Sequence, residues 1–155
     1  MDNTAWELTE SVEMDATLEF AWSYWTNVAN WNEPPATFEI DGPFAAGSHG
    51  ITRMPGQKPR HWLIRAVSPP NKATIEFALN GAVLSFEWRF ESITIDRTRL
   101  TQRVVLQGEN AAEFQPQLES TFTSSLPAGM KKLATTIAEA AAGSQNRADS
   151  LIGWE

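Results

Sequence analysis

The chain has 155 residues, with 12 Lys and Arg against 19 Asp and Glu for a net charge of −7, 42% hydrophobic residues, seven tryptophans and no cysteine. One domain of this length removes roughly 68–70% of its unfolded surface from water, so it needs no covalent staple, and disulfide scaffolds and cysteine zinc sites are excluded. A pI near 4.8 without a basic tract speaks against nucleic acid as a partner. The lack of any run of about 18 apolar residues, or of a basic and apolar leader in MDNTAWELTE, speaks against membrane insertion and predicts a cytoplasmic protein.

Trp6, Leu8, Val12 and Met14 alternate with polar residues, which predicts a half-buried first strand with Glu10 on its apolar face. Asp15 then offers a cap to a helix whose apolar residues Leu18, Ala21, Trp22 and Trp25 fall at i, i+3, i+4 and i+7. A short turn over Val28–Trp31 must stop before Pro34-Pro35, because the residue before proline is pushed out of the helical region. Strands are predicted over 36–41, 49–54, 60–67, 73–79, 83–92 and 98–107.

Two turns set the register. Asn80-Gly81, read as a two-residue hairpin turn with both residues at positive φ, pairs Phe77 with Leu84 and Ile75 with Phe86. A three-residue loop Ile95–Arg97 pairs Phe90 with Gln102 and Trp88 with Val104, leaving Leu84, Phe86, Trp88, Phe90, Leu100, Gln102, Val104 and Leu106 on one face. A one-residue slip would bury Glu87, Arg89, Arg99 and Arg103 instead, so the facing is strongly specified. Leu118, Phe122, Leu126, Met130, Leu133, Ile137 and Ala141 then make one stripe of a long helix, in which Pro127 should introduce a kink. The segment 143–155 reads as a tail after a single domain over 1–142, with Leu151, Ile152 and Trp154 available to dock on the body or on a neighbour.

Charge is unevenly spread. Residues 1–50 hold nine acids and no Lys or Arg, whereas 51–103 hold nine bases and four acids. Either this marks a partner surface, or acidic and basic strands lie side by side and pair across the ladder; the second reading is favoured, since opposite charges on neighbouring strands stabilise each other.

The order of elements, together with MDATLEFAWSYWTNVANWNEP after the first strand, the GPF-x-x-G turn at Gly42–Gly47, WLIRAVSPP at Trp62–Pro70 and the closing helix at Leu126–Ala141, resembles the START-related, birch-pollen-allergen-like (SRPBCC) superfamily, specifically its bacterial polyketide cyclase/dehydrase-like members. The resemblance spans about residues 6–142 and carries no shared catalytic signature. It implies an α+β helix-grip fold: a seven-stranded curved antiparallel sheet wrapped around the long C-terminal helix, two short helices after the first strand, and a deep cavity for lipophilic or aromatic ligands.

Within that arrangement Trp31, Phe38, Trp62, Phe77, Phe86, Trp88, Phe90, Phe122, Leu126 and Met130 would line the space between sheet and helix, with rings able to stack on a planar ligand. The first strand would lie beside the last, bringing Glu10 near Gln102, a pair able to hydrogen-bond a ligand hydroxyl or carbonyl. His49 and Arg53 share one face of the third strand. If Ile51 opposes Trp62 they point inward, as a candidate base and an anion anchor; if Arg53 opposes His61 they are solvated. An inward His49 and an outward His61 could not share a metal ion, and no metal or cofactor is implied. Tyr24, off the apolar stripe, reads as surface. Three functions compete: binding of a small hydrophobic, aromatic or polyketide-like ligand; a cyclase or dehydratase using Glu10, His49 or Arg53; and an interaction module built on the acidic third or the tail. The residues leave a homodimer open.

Overall fold

The computed structural model describes residues 4–33 and 35–153, with side chains through Gly143. Seven strands, β1 (Thr4–Met14), β2 (Thr37–Asp41), β3 (His49–Arg53), β4 (Arg60–Ser68), β5 (Lys72–Leu79), β6 (Ala82–Thr94) and β7 (Arg97–Gln107), form one antiparallel sheet in the order β1-β7-β6-β5-β4-β3-β2. Helix α1 (Leu18–Trp25) and a 3₁₀ turn (Val28–Trp31) follow β1, and helix α2 (Ala111–Gly153) closes the chain. This is the helix-grip fold that the family resemblance implies. Leu126, Met130, Ala134 and Ile137 of α2 are buried in one cluster with Ile64, Ile75, Phe90, Leu100 and Val104 of the sheet, so the apolar stripe of the helix and the apolar face of the strands make the same core.

Alternation decides the facing of the long strands, most strictly in β1. Along β1 every second side chain is at least half-buried, with Glu10 among them. β5 and β6 pair as expected, Phe77 opposite Leu84 and Ile75 opposite Phe86, but only Gly81 enters the left-handed region (φ 77°), so Asn80 is not the second positive-φ residue that the hairpin reading requires. Asn110 secures this turn to the start of α2: its amide N–H donates to the Gly81 carbonyl and its side-chain NH2 to the Asn80 carbonyl.

The next hairpin corrects the expected register. Its turn is Ile95-Asp96, with Thr94 opposite Arg97, and an irregularity between Ser92 and Thr94 then shifts the pairing. Phe90 therefore meets Leu100, and Trp88 meets Gln102, two positions away from the expected partners. A shift of two preserves parity, so the predicted faces stand while the partners change.

Four further differences have local causes. Thr17, not Asp15, caps α1 by accepting from the Phe20 N–H; Asp15 instead accepts from Arg97 at 2.7 Å. α2 starts at Ala111, ahead of the predicted apolar stripe, and passes through both Pro116 and Pro127. Its backbone continues helical through 143–153, where the sequence predicts no helix; the side chains of Leu151, Ile152 and Trp154 lie outside the described residues. In β3, Gly50 opposes Trp62 and Ile51 opposes His61, which turns His49, Ile51 and Arg53 to the outer face.

The charge asymmetry resolves into strand pairing. Acidic β1 lies against basic β7, where Arg97 donates to Glu13 at 3.0 Å, Arg99 reaches Glu13 at 3.4 Å, and Arg103 bridges Glu7 and Glu87. The hydrogen bonds from Arg97 and then Arg99 hold the Glu13 carboxyl below its ordinary range. These pairs are solvated and contribute little each, so their main effect is to favour which strands neighbour which.

Candidate ligand-binding cavity

The concave face of β2–β7, the α1 and 3₁₀ segment and one flank of α2 border a cavity of about 450 Å³. A second chamber of about 230 Å³ adjoins it, sharing Phe86, Trp88, Gln102, Gly129 and Leu133. Trp31, Phe38, Trp62, Phe77, Phe86, Trp88 and Gln102 line the first chamber. Phe122, Leu126 and Met130 line the second, so every residue expected to face a ligand borders this space except Phe90, which is fully buried core.

The rings are locked by one another. Trp25 sits at the centre, its ring 4.8 Å from Trp88, 5.4 Å from Phe90 and 5.2 Å from Phe44 between centroids. Trp31 lies 5.5 Å from Trp62 and donates its indole N–H to the Trp25 carbonyl at 2.6 Å. Trp62 lies over Gly50, where an added Cβ would stand 2.1 Å from the ring, and donates its indole N–H to Thr52 Oγ1 at 3.1 Å. Glycine at 50 is thus the condition for Trp62 to reach the cavity. Such contacts between rings contribute about 0.5–1.5 kcal/mol each beyond burial, enough to hold a wall in shape without filling the space before it.

Polar groups gather at the rim. Asn32 Oδ1 accepts from the Phe38 N–H at 2.7 Å and Asn30 donates to the Tyr24 carbonyl at 2.9 Å, fixing the segment between α1 and β2. Glu33 and Lys132 form an ion pair from this segment to α2, both side chains 68% exposed. Tyr24 is half-buried and lines the cavity, which corrects its reading as a surface residue. Sequence periodicity also misses Trp25, Thr52, Ile75, Lys132, Leu133 and Thr136 as lining residues. Thr52 faces the cavity because Gly50 opposes Trp62, a pairing that the sequence left open and that fixes the facing of β3.

The three candidate acid/base residues stand apart from this space. His49 is exposed on the outer face, and Arg53, also outward, pairs with Glu39 at 3.3 Å. His61 is exposed on that same outer face, so the histidines do not lie on opposite sides of the sheet; among the described residues no three metal-donor side chains gather. Glu10 faces inward and opposes Gln102 as expected, but it is not part of the cavity lining and makes no hydrogen bond among the described residues.

The sequence matches, over residues 5–138, the family described as polyketide cyclase / dehydrase and lipid transport. The chain belongs to that family. A search of curated proteins finds no match. Among solved structures, norcoclaurine synthase from Thalictrum flavum in complex with dopamine and hydroxybenzaldehyde superposes with a TM-score of 0.67 at 14% identity, covering 88% of this chain and 87% of that one. The Zhui aromatase/cyclase from Streptomyces sp. R1128 gives 0.67 at 14% identity, covering 85% and 93%. Ara h 8.0201 gives 0.66 at 10% identity, covering 86% and 98%. At these identities the likeness concerns the fold, and it places this polyketide cyclase / dehydrase-family chain in the helix-grip architecture. Among the described residues no helix is long and apolar enough to cross a membrane.

Proposed function

We propose that the protein binds a small hydrophobic, ring-containing ligand, aromatic or polyketide-like, in the cavity between sheet and α2. The observation that carries this reading is the cavity itself: about 450 Å³ of space walled by the faces of Trp31, Trp62, Phe77, Phe86 and Trp88. A domain with no use for such a space would close it, because a lined void forfeits dispersion contacts on one side of every wall atom. Planar rings gain most from walls of this kind, since offset stacking and edge contacts are both available. The family to which the chain belongs, and the ligands named with one structural neighbour, dopamine and hydroxybenzaldehyde, are consistent with it.

Binding is favoured over acid/base turnover because the residues offered for a cyclase mechanism are outside the lining: His49 and Arg53 face outward, and Glu10 lies beyond the cavity wall. The test is native mass spectrometry of the purified protein beside the same sample denatured, followed by titration with the planar ketone 9-fluorenone, read by tryptophan emission. A co-purifying small molecule or saturable quenching is expected. A protein of apo mass whose emission does not respond saturably sinks the proposal.

A further inference from the structure

On the concave face, three adjacent strands place polar side chains at one level. Trp88 of β6 opposes Gln102 of β7, which opposes Glu10 of β1. Their neighbours along these strands are apolar: Phe86 and Phe90, Leu100 and Val104, Leu8 and Val12. Gln102 is 4% exposed and forms no hydrogen bond among the described residues, although its amide carries two donors and a carbonyl oxygen. Trp88 Nε1 is a buried donor with no partner among the described residues, whereas the indoles of Trp31 and Trp62 both donate to protein oxygens. Trp88 and Gln102 border both chambers, so the unmet groups meet the space where the chambers join.

An unsatisfied group in a protein interior is costly, and a fold retains one where something else completes it. We propose that Trp88, Gln102 and Glu10 form a recognition row that reads one carbonyl oxygen on the bound ring compound; this rests on the ligand-binding reading above and names the chemistry its ligand must carry. Directly opposed side chains on one face of an antiparallel pair are near enough to interact, so the Gln102 amide can turn between its two neighbours. In the ligand-bound state its oxygen accepts the Trp88 indole N–H, one amide hydrogen goes to the Glu10 carboxylate, and the other points into the cavity. Glu10 and Trp88 thereby act as positioning residues for the Gln102 amide, and the ligand oxygen supplies the acceptor that completes the set. A bare hydrocarbon of the same shape leaves that hydrogen unpaired, which is the kind of mismatch that binding sites discriminate strongly.

The experiment compares 9-fluorenone with fluorene, which share a shape and differ in the carbonyl, by displacement of 1-anilinonaphthalene-8-sulfonate from wild type, Gln102→Leu and Trp88→Phe. The expected result is that the fluorenone-to-fluorene affinity ratio falls about tenfold in Gln102→Leu, the scale of one buried hydrogen bond, and several-fold in Trp88→Phe. Should Gln102→Leu fail to fold, Trp88→Phe, which keeps the ring and removes only the donor, carries the test alone. A ratio that stays within about twofold of wild type in the folded variants while both compounds bind overturns the recognition row and leaves ligand binding standing. Failure of both compounds to bind wild type overturns the binding reading and the row together.

Discussion

Gly129 offers the most direct way to ask whether the cavity is open space. It lies on α2 at helical spacing between Ser125 and Leu133, all three bordering the second chamber, and a Cβ built on it meets nothing within 4 Å. Replacing a helix-interior glycine by alanine gains roughly 0.5–1 kcal/mol by reducing the entropy lost on folding. Leucine adds three further carbons worth about 0.8 kcal/mol each when fully buried, of which about half is realised at a position that stays partly wet. Ordering the leucine side chain returns roughly 0.5–1 kcal/mol of this. The net expectation for Gly129→Leu is a gain of about 1 kcal/mol, a rise in Tm of about 2–4 °C for a chain of this size. The same side chain occupies ligand space, so affinity for 9-fluorenone should fall at least about tenfold, a 1.4 kcal/mol penalty. Thermal unfolding and a fluorescence titration on one preparation read both quantities. Loss of stability would mean that the space is already filled, and wild-type affinity in the stabilised variant would mean that the ligand sits elsewhere; either result refutes the reasoning.

Gly50→Ala should act in the opposite sense, because its Cβ must displace the buried Trp62 ring from its seat over Gly50 and break its indole bond to Thr52. A loss of about 1–3 kcal/mol is expected by urea denaturation, and a neutral substitution would show that Trp62 is not held as described. In the ligand-free protein Gln102→Leu should raise stability by about 1 kcal/mol, since there the amide has no partner among the described residues and an apolar group of similar size replaces it; a loss of that size would show the amide already satisfied before any ligand binds. Glu13 has a folded-state pKa below its unfolded value, so its contribution is present above the ordinary carboxylate range and is lost as the pH falls through the lowered value. The urea midpoints of wild type and Arg97→Gln should therefore converge on acidification, and a constant gap across the carboxylate range would contradict that origin.

The architecture was legible because β1 alternates strictly, the charged stretches of β6 and β7 alternate with apolar residues, and α2 keeps one apolar stripe over most of its length, so that period assigns most faces. Parity also survives a two-residue shift, which is why the cavity wall could be named although the irregularity near Ile93 changed every partner between β6 and β7. The short strands gave no such protection. β3 has five residues, and its facing hung on one pairing that the 54–59 loop leaves open; Gly50 beneath Trp62 decides it and removes His49 and Arg53 from the site. Tyr24 and Lys132 escaped notice because cavity lining recruits the flanks of helices, not only the stripes that pack. Residues such as these are set by how the elements are tilted against each other, which local periodicity does not encode.

The central claim is that a ligand enters the space walled by four particular tryptophans, and their indole N–H resonances test it. Trp25, Trp31, Trp62 and Trp88 border the cavity, whereas Trp6 and Trp22 do not. In a titration of ¹⁵N-labelled protein with 9-fluorenone, assigned by single Trp→Phe variants, saturable shifts should concentrate on the four lining indoles and leave Trp6 and Trp22 largely in place. Saturable shifts centred on Trp6 or Trp22, or no saturable shift at any indole, would contradict the account.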